Sequence, residues 1–411
     1  MKVQVSKEKL IVSVLCFLYI FEYTLYGQPI SGLKYIIQAL CVFMFICRDK
    51  NIIFILPRDP VILFFVITFG IIPVSQAIIE GSLTFAAYTA VMWIFIICTY
   101  SLGKQLDTKE KKQGFVKLFA VIGTVVVLVC VILNYTNLFN ANAILSNFGN
   151  ELNIVTDIKR RERSGFGFMH VNSLGGICVS IIIALVMSEY QNRTVQTIRN
   201  FAVAFIFLVM LNTGSRASIY GTLAFFLVLA GEKLYFKSKD IFKFCMKALL
   251  TIAMVMALSW VYNTVQNDFE FVSNITSGRI DGWIYDLTQM KRDGTLLFGY
   301  GLYNPTSFFT QSFAKGMIVD NWFVYMITNI GLVGLTGCLF LIGFILYRLA
   351  TICVSGEGIN QKAMALFVAN LFHAMAEKAF ITPADPISFF MMIMIFGTLY
   401  GNGEIQSKSE E

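Results

Sequence analysis

The chain has 411 residues, 57% of them hydrophobic, 15% aromatic and 14% charged, with a mean hydropathy of +0.70 and a formal net charge of +7. Apolar runs of about 17 or more residues recur along its whole length, and each can cross a hydrocarbon core of about 30 Å. This excludes an array of soluble domains; the positive balance needs no nucleic acid, because basic loops facing anionic lipid account for it.

Twelve apolar runs predict twelve membrane-spanning helices, at about 10–26, 33–47, 61–79, 86–102, 115–134, 171–188, 200–212, 218–235, 246–263, 321–347, 361–376 and 386–400. Lys2, Lys7 and Lys9 precede the first run as in a signal peptide, but no small-residue cleavage site follows, so it reads as an uncleaved span. The seventh run is short and reads as broken or re-entrant. With the N-terminus inside, roughly two-thirds of the 32 Lys and Arg fall in cytoplasmic loops, which places both termini in the cytoplasm. The expected organisation is one integral membrane domain over 1–402, with an external segment at about 264–320 and a disordered tail at 403–411. The nine cysteines lie scattered, mostly in apolar runs, and form no CxxC pair; they read as small buried hydrophobes.

Cations on the expected outer side break the positive-inside trend in a few places. Lys159, Arg160, Arg161 and Arg163 form a cluster before "SGFGFMHVNSLGG", where His170 and Asn172 stand at the top of a span. The bland alternative is a basic anchor. Arg216 in "LNTGSRASIYG" lies between two long apolar runs. It either snorkels, pairs with a carboxylate, or serves an anion site with the backbone N–H groups of Gly214 and Ser215. In the external segment, Ile280, Trp283, Ile284, Leu287 and Met290 recur at helical spacing. They predict an amphipathic helix along the outer surface, capped by Thr276 or Ser277 and carrying Arg279 and Arg292. Gly299 and Gly301 allow a tight turn after it. Asp320 and Asn321 stand at the mouth of the next run, Asp320 as base, orienting group or helix cap, and Gly331 and Gly334 suit close helix packing. Whether His373, Glu377 and Lys378 line a cavity stays open. Only two histidines occur, and HExxH, Walker A, GxSxG and dinucleotide fingerprints are missing, so the sequence lends no support to metal hydrolysis or nucleotide-driven pumping.

Taken in order, "RSGFGFMHVNSLGG", "LNTGSRASIYG", "RIDGWIYDL…LFGYGLYN" and "DNWFVYMITNIGLVGL" resemble the hallmarks of the O-antigen ligase/Wzy polymerase superfamily over Arg163–Leu335. The resemblance implies an all-α, GT-C-like glycosyltransferase of the bacterial cytoplasmic membrane, its site facing outward. It would be metal-independent and use no cofactor. Such a polymerase moves a growing glycan from polyprenyl pyrophosphate onto a fresh lipid-linked repeat unit, in O-antigen, capsule or exopolysaccharide synthesis. The partners implied are these lipid-linked oligosaccharides and membrane lipids, with room for a chain-length regulator and a flippase. Arg279 and Asp320 would be catalytic; Arg216, Arg163, Asn172, His170, Ser215, Arg292 and Asn321 would hold pyrophosphate or glycan. Ligases of the superfamily carry histidine where this chain has Asp320, which weakens the ligase alternative. A flippase for the same units is the third reading, but flippases commonly show two similar halves and this chain shows none.

Overall fold

The computed structural model describes residues 7–48, 59–134, 164–237, 279–302, 320–355 and 358–401, with single residues between 256 and 278. Of these, 81% are helical and none lies in a strand. The helices are α1 (Lys7–Phe21), α2 (Leu33–Arg48), α3 (Pro60–Ile79), α4 (Leu83–Lys104), α5 (Lys109–Leu133), α6 (Val171–Met187), α7 (Arg193–Thr213), α8 (Arg216–Lys237), α9 (Arg279–Arg292), α10 (Trp322–Ser355), α11 (Gly358–Ala374) and α12 (Pro386–Tyr400). Among the described residues, six apolar helical stretches are long enough to cross a membrane: Gln28–Cys47, Pro60–Ile79, Leu83–Lys104, Lys109–Leu133, Arg193–Thr213 and Trp322–Cys353. Lys9–Phe21, Val171–Met187 and Pro386–Tyr400 are apolar but shorter. The apolar run 246–263 lies outside the described residues, apart from 256 and 259.

The helix starts follow from capping chemistry. Asp59 accepts from the Val61 amide and Pro60 pre-sets the first turn of α3; Asp385 and Pro386 do the same for α12. The seventh run is neither broken nor re-entrant. Asn192 caps a continuous 21-residue α7, whose polar first turns extend the apolar run, and Gly214 at φ 58° ends it.

α12 is apolar on every face and occupies the centre, packed by α1, α4, α5, α6, α10 and α11. Small residues permit the approach: a Cβ at Gly103 of α4 would meet the Phe396 Cβ at 2.6 Å. Rings fill the rest, with Tyr19 stacked on Phe389 and Phe119 on Phe390. One end of the bundle is closed by Asp59 with Arg348 and Tyr400, by Glu189 with Lys109 and Lys362, and by Lys112 donating to Asn360.

α10 is interrupted at Gly331 (φ 67°, ψ −172°). The segment after α9 fills the gap. The Tyr300 and Gly301 amides donate to the Thr328 and Asn329 carbonyls, and the Leu332 and Val333 amides donate to Leu296 and Leu297. Every backbone group named at the break is thereby satisfied. Gly331 is therefore a helix break and not a packing glycine. A Cβ there would overlap the Leu297 carbonyl, and one at Gly299 the Asn329 carbonyl. Gly334, expected to admit a neighbouring helix, faces the side chain of Ile330 in its own helix.

Candidate functional site

The loops at the other end of the bundle converge on residues 375–385, between α11 and α12. Phe380 and Ile381 of this stretch are fully buried, so its backbone groups need partners. Tyr19 donates to the Pro383 carbonyl at 2.8 Å. Lys34 donates to Ala384 at 2.8 Å and pairs with Glu22 at 2.7 Å. Asn321 donates to Met375 and Arg279 to Ala376, both at 2.7 Å.

Arg279 opens α9 after Gly278, whose φ of 75° turns the chain. Gly278, and not Thr276, holds the cap position; the Thr276 hydroxyl still accepts from the Ile280 amide, and Ser277 lies outside the described residues. The Arg279 guanidinium lies 3.0 Å from Asp320 and 3.9 Å from Glu377. Asp320 leads into α10, but Asn321 is the cap, accepting from the Phe323 and Val324 amides. Asn172, from the first turn of α6, stands beside Glu377 and favours its ionised form. Burial pushes the Glu377 carboxyl up to about 8, with Asp320 adding to the shift and Arg279, Lys378 and Asn172 opposing it. Burial likewise holds the Lys378 ammonium below its usual range, against the pull of Asp320, Glu377 and Asp385. The side chains of Arg279, Asp320 and Glu377 are 27%, 24% and 14% exposed, partly desolvated yet open to a solute. The cluster thus offers a permanent cation, a second cation and two carboxylates in one partly dry place, a set suited to anion binding and proton transfer.

The expected site residues divide around this cluster. Arg279, Asp320, Asn321 and Asn172 meet in it. Arg216 begins α8, which packs along α11 and so rises at the same end. The anion nest expected beside Arg216 is not available: the Gly214 amide donates to Leu211 and the Ser215 amide to the Thr213 hydroxyl. Ser215 is buried, accepts from Ser218, and packs on α6, where a Cβ at Gly175 would meet it at 2.8 Å. His170 caps α6 by accepting the Asn172 amide. Arg292 sits 13 residues beyond Arg279 on α9, about 20 Å along the axis. It is exposed, bonded to Gln289 and near Asp293, and belongs to a solvated face. Arg163 lies outside the described residues. Glu377, left open by the sequence, is brought into the cluster, whereas His373 is buried between Gly176 and Gly221. The signal for Glu377 was an ionisable doublet between two apolar runs.

Comparison with known proteins finds no family model that matches the chain and no match among curated proteins.

Proposed function

We propose that the chain is a Wzy-type polysaccharide polymerase of a bacterial cytoplasmic membrane. In this reading it has twelve spans in a GT-C-like arrangement, with both termini cytoplasmic and the Arg279 cluster facing outward. It transfers a growing glycan from polyprenyl pyrophosphate onto a lipid-linked repeat unit. One observation carries the reading. The amphipathic helix α9 delivers Arg279 to two carboxylates at the bundle end where Asn172 and Arg216 also stand. The resemblance of the four ordered motifs supports it, since each supplies one of these residues: Asn172, Arg216, Arg279 and Asp320.

In the reaction, negative charge builds on the departing pyrophosphate. A preorganised guanidinium in a partly dry site meets that charge without reorganising. Arg279 has this role, with Arg216 supporting it; the resemblance gives Arg163 the same supporting part. Asp320 holds the guanidinium in place, and Asn172 orients the acceptor side. Asp320 stands where ligases of the superfamily carry histidine, which favours polymerase over ligase.

The test uses the chain in lipid nanodiscs with lipid-linked oligosaccharide isolated from a strain lacking it. Wild type is expected to give a ladder spaced by one repeat unit, and Arg279→Ala none. A ladder from both would discard the site; no ladder from wild type would move the weight to lipid flipping.

A further inference from the structure

We infer that Glu377, and not Asp320, takes the proton from the acceptor hydroxyl during glycosyl transfer. The inference rests on the polymerase reading and adds the residue that completes its chemistry. The acceptor oxygen forms a bond to the anomeric carbon, and the bond from that carbon to the phosphate oxygen breaks. The electron pair leaves with polyprenyl pyrophosphate, and the hydroxyl proton passes to the Glu377 carboxylate.

The two carboxylates sit at opposite kinds of helix end. Asp320 lies just before the first turn of α10, where the helix dipole favours a negative charge, and it holds the closer contact to Arg279 at 3.0 Å. Such a carboxylate is committed to holding the guanidinium. Glu377 lies just past the end of α11, and its amide donates to the His373 carbonyl in the last turn. The carbonyl end of a helix disfavours a negative charge. Its contact with Arg279 is looser, at 3.9 Å. The groups facing it are Arg279 from α9, Asp320 from the lead of α10, Asn172 from α6 and Lys378 on its own loop. Of two carboxylates on one cation, the less favoured anion is the stronger base. Its carboxyl, pushed up to about 8, suits a base working near neutral pH. The 375–385 loop is pinned from α1, α2, α9 and the lead of α10, so the base is held on a fixed mount.

The nanodisc assay with lipid-linked oligosaccharide from the deletion strain tests this, now as initial rates between pH 6 and pH 10. The wild-type kcat/KM should rise with pH and level off above about 8. Glu377→Gln should lower kcat by about 100-fold or more, leave KM within about twofold, and lose the pH-dependent rise. Glu377→Asp should keep part of the rate with a displaced midpoint, which separates a missing base from a misfolded chain. Asp320→Asn should lose only about tenfold, and its midpoint should move to lower pH, because the neighbouring negative charge is gone. If Glu377→Gln turns over at the wild-type rate with an unchanged pH profile, or if Asp320→Asn alone abolishes the pH-dependent rise, the inference is wrong and the polymerase reading survives. If wild type makes no polymer, both fall together.

Discussion

At the scale of single residues, charge burial sets the sharpest constraints. Lys34 has no exposed surface, and its ammonium is satisfied by Glu22 and the Ala384 carbonyl. Removing one member of such a pair leaves the other uncompensated, whereas replacing both with apolar groups often does little harm. Lys34→Met should therefore destabilise the chain by about 3 kcal/mol or more, and Lys34→Met with Glu22→Leu should recover most of the loss. Thermal unfolding of the three proteins in nanodiscs measures it; an additive double mutant would show that the pair is not coupled. Asp286 on α9 presents the opposite case. It is buried, and neither carboxylate oxygen has a hydrogen-bond partner among the described residues. Burial pushes it from the ordinary 3.8 up to about 7. The folded state thus binds a proton that the unfolded chain releases, so stability falls as pH rises through that interval. Asp286→Asn should raise the melting temperature by roughly 2 °C or more at pH 8 and by less at pH 5, read from paired melts at the two pH values. No difference between the two would place the carboxylate in contact with water.

Single elements carry information that residue types alone do not. The break in α10 is such a case. In the sequence, Gly331 and Gly334 sit inside one apolar run, a pattern equally suited to helix packing. What distinguishes Gly331 is a backbone angle, and that angle is set by the 296–301 segment lodged against it. Pattern within a run cannot reveal a partner thirty residues earlier. The amphipathic stripe of α9, by contrast, was legible because its period is local, and so was the Gly299–Gly301 turn. The continuity of α7 was hidden by the polar residues of its first two turns, which fit a helix end and a loop equally well. Gly331→Ala places a Cβ at positive φ and against the Leu297 carbonyl. That strain, on the order of 1–3 kcal/mol before the clash, should expel the 296–301 segment and carry α9 with it. Limited proteolysis should then cut between 290 and 302 at least tenfold faster than in wild type. Unchanged protection would show that the segment is held by something other than the break.

Across the whole molecule, side-chain and backbone contacts sort the loops into two ends. Loop 22–32, the stretch before α6, the α7–α8 turn, α9 and residues 375–385 share one end. Asp59, Glu189 and Asn360 mark the other. The convergence of Asn172, Arg279, Asp320 and Glu377, drawn from points about 200 residues apart, follows from this sorting. The sequence exposed it only in part, since it named three of the four from local motif context and left the fourth open. Which end faces outward rests on the distribution of Lys and Arg. In the polymerase reading the polyprenyl-linked donor is used on the outer face, so that reading stands or falls with the orientation. Two exposed positions separate the alternatives: Glu80, in the α3–α4 loop at the Arg279 end, and Asp107, in the α4–α5 loop at the other. In a Cys47→Ser background, which removes an exposed native thiol, Glu80→Cys should react with a membrane-impermeant maleimide in intact cells. Asp107→Cys should react only after permeabilisation. The reverse pattern would turn the Arg279 cluster toward the cytoplasm and remove the polymerase reading, whatever the quality of its geometry. Labelling at both positions in intact cells would mean that the outer barrier was breached, so an impermeant probe of a known cytoplasmic protein is run alongside to keep the two outcomes apart.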